Sequence, residues 1–179
     1  MSCDDGFYDQ YLAPLERRML RSIRRVLRDP DAAQDALQDA LVRIWGCREV
    51  VRRHPHPEAL LLRIGLNAAL DVVRREGRRR ETKGVGALEE LAAASGPGPE
   101  ASLADHERRE AILAAIARLP HQQALAVLTR IVQEQPYREV AQVLGCSAVT
   151  ARIHVMRGRS RLRRLLASWA GGSGWGGSR

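Results

Sequence analysis

Acidic residues are missing from the C-terminal stretch of this chain: from Val140 to Arg179 there is no Asp or Glu, while Arg152, Arg157, Arg159, Arg161, Arg163, Arg164 and Arg179 accumulate. That argues against a helix merely laced with surface salt bridges and for a polyanionic partner. Aromatic residues are also scarce, at 4% of 179, with three tryptophans (Trp45, Trp169 and Trp175) among them. Base-stacking platforms of the single-strand-binding kind are therefore poorly supplied, and duplex nucleic acid is the better match for a net charge of +8 and a pI of about 10.6. The three cysteines, Cys3, Cys47 and Cys146, form no CxxC pair, which points away from a disulfide framework and toward a reducing cytoplasm. With His54, His56 and His154 they match no common ligand spacing, so neither a metal nor a cofactor is expected. No apolar run approaches the ~20 residues of a membrane span, and MSCDDGFYDQ has no charged-then-apolar leader, so the chain is expected to be soluble and cytoplasmic. Paired carboxylates, a nucleophile elbow and a glycine-rich phosphate loop are lacking; neither catalysis nor a small-molecule substrate is expected.

What is present is helical periodicity, with almost no strand-like alternation, and the predicted fold class is all-α. Phe7, Tyr11, Leu15, Met19 and Ile23 recur at every fourth position in a first helix predicted to stop near Asp29-Pro30. A second begins about Asp31 and turns Ala36, Leu37, Ala40, Leu41 and Ile44 inward. GCREVVRRHPHP reads as a break before a third helix, Glu58 to Arg80, with Leu61, Ile64, Ala68 and Val72 as its buried stripe. Thr82 to Ala104 mixes Gly, Pro, Ser and Ala like a flexible linker separating two small helical domains. Helices near Asp105–Arg118 and Gln122–Gln133 follow, and the closing GGSGWGGSR reads as a flexible tail.

The stretch PYREVAQVLGCSAVTARIHVMRGRSRLRRLL reads as a helix-turn-helix. Val140 and Leu144 share a face of its first helix, with small Ala141 where a crossing helix comes close. Gly145 fits the left-handed residue that ends that helix, and Ser147 fits the cap of the next. Ala148, Ala151, Val155, Gly158, Leu162 and Leu165 form an inward stripe; Thr150, Arg152, His154, Arg157 and Arg161 form the opposite face, suited to phosphates and to guanine acceptor edges.

Taken in order, the two halves resemble the extracytoplasmic-function sigma factors of the sigma-70 family, the small alternative sigma subunits of bacterial RNA polymerase. DAAQDALQDALVRIW and LLLRIGLNAALDVVRR are similar to that family's region 2, where Asp35, Gln38, Asp39, Arg43, Trp45, Asn67, Asp71 and Arg74 match. Leu119-Pro120, Tyr137, Glu139, Val140, Ala141, Leu144, Gly145, Ser147, Thr150, Arg157, Arg159, Arg161 and Leu162 match region 4. The family usually shows tryptophan near Leu60, glutamate at Gln34, glycine at Val149, valine at Ala151, and serine-arginine where this chain has Ile153 and His154.

The resemblance implies a region 2 domain over 1–81, a linker over 82–104, a region 4 domain over 105–168 and a tail over 169–179. It implies a polymerase-binding set of Asp35, Gln38, Asp39, Arg43 and Trp45. A set for the minus-10 element follows, comprising Arg52, Arg53, Asn67, Asp71, Arg74, Arg75, Arg78 and Arg79, with Arg80 continuing the basic run. For the minus-35 element it implies Ser147, Thr150, Arg152, His154, Arg157, Arg159 and Arg161. The implied partners are bacterial core RNA polymerase, promoter DNA, and an anti-sigma factor of the kind often bound to a membrane. Glu89, Glu90 and Glu100 fall in the segment that in the family threads the polymerase. The alternatives are a stand-alone helix-turn-helix regulator binding a palindrome as a dimer and a basic RNA-binding protein; neither accounts for the acidic Gln38-Asp39 helix.

Overall fold

The computed structural model describes residues 5–83 and 100–170, and every element among them is helical, as expected of an all-α chain. Cys3, Trp175, Arg179, Glu89 and Glu90 lie outside the described residues, as does most of the predicted linker.

The chain opens with α1 (Asp5–Phe7), a π-helical turn (Tyr8–Leu12) and α2 (Ala13–Val26). Phe7, Met19 and Ile23 are buried and Tyr11 and Leu15 partly so, which is the predicted stripe. The helix stops earlier than Asp29-Pro30 would dictate, because Leu27 turns extended. Asp29 caps the next helix instead: its carboxylate accepts the Asp31 N–H at 3.0 Å, and Pro30 occupies the first turn of α3 (Pro30–Gly46), where no amide donor is needed.

GCREVVRRHPHP is not a loop. α4 (Arg48–Arg53) forms within it, buries Val51 completely, and leaves only Cys47 and the His54–His56 stretch outside helices. One apolar side chain docking in the core outweighs the turn signal of the flanking residues. α5 (Pro57–Lys83) then runs past both predicted ends. In the second half, α6 (Glu100–Ala117) starts inside the predicted linker. α7 (His121–Val127) passes into a π-helical turn, Leu128–Val132, and is followed by α8 (Tyr137–Leu144) and α9 (Ala148–Ala170), which extends into the predicted tail.

Both predicted helical halves are present, and their buried residues form one continuous apolar core from Phe7 to Val155. α5 lies at the junction, touching α2 and α3 on the first half and α6, α7 and α8 on the second. A polar seam borders that contact. Buried Gln133 donates from its side chain to the Ser22 carbonyl at 2.9 Å, and Arg25 donates to the Gln133 carbonyl at 3.3 Å. Arg74 donates to the carbonyls of Ala117 (3.2 Å) and Leu119 (3.4 Å), and Arg109 to that of Arg25. Arg18 pairs with Glu139 at 3.4 Å and with Glu58 at 3.6 Å. Polar side chains scattered among separate helices meet here, and no local pattern announces such meetings.

Gly158 lets α9 approach α7: a Cβ there would meet Val127 Cγ2 at 2.7 Å and the Gln123 carbonyl oxygen at 3.2 Å. Gly158→Val is expected to destabilise the chain by about 1–3 kcal/mol through overpacking, measured by urea unfolding; an unchanged midpoint would refute the close approach.

At the seam, burial and then the nearby Arg74 and Arg63 push the His121 pKa below its ordinary value, against a weaker upward pull from Asp71. The unfolded chain therefore takes up this proton first. Stability is complete above the ordinary histidine pKa of about 6.5 and is lost as pH falls through it. Melting temperature measured from pH 7.5 down to pH 5.5 is expected to drop more steeply in the wild type than in His121→Gln, and identical slopes would rule this linkage out.

Candidate functional site

The first surface is the outer face of α3. Burial of Ala33, Ala36, Leu37, Ala40 and Ile44 fixes the orientation of the helix and leaves Asp35, Gln38, Asp39, Arg43 and Trp45 exposed. Trp45 is both packed and open: its ring meets Phe7 edge-on at 5.9 Å, the Arg48 guanidinium lies 5.9 Å from its centre, and it stays 43% exposed. Two exposed apolar residues join it that the sequence reading passed over. Val42 is 72% exposed and Tyr8 42%, and with Leu12, Leu41 and Trp45 they line an open groove beside the carboxylates. Val42 was findable, since it lies one helical step from Asp39 on the polar face; Tyr8 sits in a π-helical turn that breaks the 3.6-residue period. The Tyr8 hydroxyl donates to Glu16 at 2.7 Å, and that bond to a carboxylate raises its pKa.

Arg43 pairs with Asp71 of α5 at 2.9 Å, so a residue of the polymerase set and one of the minus-10 set hold each other. Both are nearly half-exposed, and such a pair contributes at most about 1 kcal/mol. The rest of the minus-10 set divides. Arg75, Arg78 and Arg79 are exposed along the end of α5, and Arg53 is exposed at the end of α4. Arg52 bonds Glu49 at 2.7 Å and lies 5.4 Å over the Phe7 ring. Arg74 is turned into the seam, and the Asn67 side-chain oxygen is buried with no hydrogen-bond donor among the described residues. The structure thus does not bring this set onto a single face.

The helix-turn-helix is built as its residue types dictate. Gly145 has φ 66° and ψ 41°, the left-handed conformation that favours glycine, and its N–H returns to the carbonyls of Ala141 and Gln142. Ser147 caps α9, its hydroxyl accepting the Thr150 N–H at 3.1 Å and lying 2.9 Å from the Thr150 hydroxyl. Cys146 between them is partly buried; burial pushes its thiol pKa up, which keeps it a small neutral residue.

On α9, Ala151, Val155 and Gly158 are buried and Leu162 and Leu165 partly so, while Ala148 is exposed, since the first turn projects beyond the core. Arg152, Arg157, Arg159 and Arg161 are exposed on the outer face, with Val149, Ile153 and Met156 among them. Two predicted reading residues differ. Thr150 is only partly exposed and committed to the cap, and His154 is partly buried, its Nδ1 enclosed without a partner among the described residues. One cluster was missed: Arg130 and Arg152 place their guanidinium carbons 5.0 Å and 5.4 Å from the centre of the Tyr137 ring. Those residues come from three elements at no helical spacing, so the sequence carried no sign of it.

Among the described residues no group of His, Cys, Asp or Glu is placed to hold a metal ion, and no helix is long and apolar enough to cross a membrane. Residues 11–79 match the model of sigma-70 region 2, and residues 109–162 match that of sigma-70 region 4. The chain is 30% identical over 165 residues to the RNA polymerase sigma-E factor of Streptomyces avermitilis, covering 90% of this chain and 86% of the relative. It is 31% identical over 160 residues to the ECF RNA polymerase sigma factor SigM of Mycobacterium tuberculosis, covering 89% and 76%. The structure of the sigma factor RpoE in complex with the anti-sigma factor NepR from Bartonella quintana aligns at 22% identity with a TM-score of 0.49, over 89% of this chain and 96% of that one. With both regions matched in order, and with relatives of this identity aligned along most of their length, the chain belongs to the extracytoplasmic-function sigma factors of the sigma-70 family.

Proposed function

We propose that the two surfaces divide the work of a sigma factor, with α3 engaging core RNA polymerase while α9 reads the upstream promoter element. The observation that carries this reading is the coexistence in one chain of an acidic, partly apolar helix face and an acid-free arginine face on a capped recognition helix. A stand-alone helix-turn-helix regulator would use the second and leave the first without a task.

Asp35, Gln38, Asp39 and Arg43 supply charge and hydrogen bonds to the polymerase, with Trp45, Val42 and Tyr8 as the apolar contact beside them. Arg53, Arg75, Arg78 and Arg79 follow the backbone of the downstream element, and Arg74 joins them once it leaves the carbonyls of Ala117 and Leu119. On α9, Arg152 and Arg157 face base edges and Arg159 and Arg161 face phosphates, with Ser147 and Thr150 setting the start of the helix. Ile153 can touch a thymine methyl, and His154 acts from its partly buried position as a support. The region 2 domain over 1–81 and region 4 domain over 105–168 act together rather than as beads on a tether. The protein works in the cytoplasm without chemistry of its own, and an anti-sigma factor that covers one of these faces controls it.

The test is run-off transcription from genomic promoter fragments with sigma-free core polymerase and purified protein. Discrete transcripts are expected that depend on the wild type and fade with Asp39→Arg; sequence-specific retention of DNA without polymerase, and no transcripts, would instead favour the stand-alone regulator. Arg157→Ala is expected to cost about 1–3 kcal/mol at preferred promoters and to relax their selection, while Arg161→Ala weakens all promoters alike and lowers the salt slope by about one. Competition binding across several promoters and salt concentrations separates the two behaviours, and a reversal of the two variants would overturn the assignment.

A further inference from the structure

Two arginines and one tyrosine meet at the edge of the recognition helix. Arg130 belongs to the π-helical turn before the helix-turn-helix, Tyr137 opens α8, and Arg152 stands on the exposed face of α9. The two guanidinium carbons lie 5.0 Å and 5.4 Å from the centre of the Tyr137 ring, within the range of cation–π attraction. Tyr137 is partly buried and packs on the core of its half of the protein, so its ring is a fixed platform. Arg130 is held a second time, donating to the Gln135 carbonyl at 3.1 Å. Arg152 has no carboxylate partner among the described residues, so the ring is what orders it.

The physical consequence concerns entropy and orientation. A free arginine loses rotamer freedom when it binds, whereas one already stacked loses less, and its guanidinium plane is set in advance. A two-point contact with O6 and N7 of guanine demands such a set plane. The second cation matters as well. Arg130 and Arg152 share one ring, and the repulsion between two cations held this near is relieved when the phosphates and acceptor edges of a groove lie beside them.

We propose that Tyr137 is a positioning residue for promoter discrimination: its ring holds Arg152 for a two-point contact with a guanine edge in the upstream element, while Arg130 takes the flanking phosphate. This rests on the reading of α9 as the recognition helix and goes beyond it by naming what aims one of its arginines.

The test uses holoenzyme assembled from the full chain and core polymerase, on a promoter library randomised through the upstream element. Wild type, Arg152→Ala, Tyr137→Phe and Tyr137→Leu are compared by the ratio of transcription from templates with and without the preferred base. Arg152→Ala is expected to lose that preference at one or two neighbouring positions. Tyr137→Leu loses about two- to fivefold of it at the same positions, and Tyr137→Phe, which keeps the ring, retains it. A loss of folded protein lowers both templates together and leaves the ratio untouched, so misfolding does not imitate the effect. A Tyr137→Leu variant with the wild-type ratio, or a Tyr137→Phe variant as impaired as Tyr137→Leu, overturns the positioning role while leaving the recognition helix standing. If Arg152→Ala leaves the ratio unchanged, the assignment of Arg152 and the role of Tyr137 fall together.

Discussion

α5 is apolar around most of its girth, and that constraint organises the molecule. Besides Leu61, Ala68 and Val72 on the anticipated stripe, it buries Leu62, Leu66, Ala69, Leu70 and Val73. A helix of this kind cannot satisfy its surface against one neighbour and must be covered on more than one side. α2 and α3 cover part of it, coming close enough at Gly65 that a Cβ there would meet Met19 Cγ at 2.6 Å. The remainder is covered by α6, α7 and α8, which brings the second half of the chain onto the first.

This shared helix also explains why the basic residues of the first half do not act as one patch. Arg74 and Asn67 lie where α5 is covered, and one spends its donors on the carbonyl end of α6 while the other turns its oxygen inward. Further along, Arg75, Arg78 and Arg79 pass beyond the cover and face solvent. The seam itself is polar at its edge, with Gln133, Arg25 and Arg18 bridging the halves. Individual bonds of this kind contribute only about 0.5–1.5 kcal/mol, so the polar seam sets how the halves register while the shared apolar core joins them. At the same seam His121 is exposed to solvent, but desolvation and then the nearby Arg74 and Arg63 lower its pKa, which makes acid a second influence on it.

The second half is organised around a different economy of space. Gly145 and Ser147 fix the turn, Gly158 lets α9 lie close on α7, and together they leave the arginines of α9 on the open side. Stacking of Arg130 and Arg152 on Tyr137 then adds order to a face that would otherwise be a row of long, mobile side chains. His154 is partly enclosed, with its Nδ1 buried, whereas Arg152, Ile153, Arg157, Arg159 and Arg161 are exposed along the helix.

Much was settled by sequence alone, and the reason is that it concerned neighbours along the chain. Helical class, the buried faces of α2 and α3, the left-handed Gly145, the Ser147 cap and the outward arginines of α9 all follow from residue type and a 3.6-residue period. The polar face of α3 was legible too, though the exposed Val42 and Tyr8 beside it were not drawn out. What required the tertiary structure was every property that depends on residues distant in sequence. The helix α4 forms because Val51 finds a core, and the halves join because α5 has more apolar surface than one domain can cover. Arg74, Asn67 and His154 are turned from the surface by partners or neighbours that local patterns do not specify. Periodicity says which side of a helix is apolar, but only packing decides what meets it, and therefore which polar side chains remain free to bind.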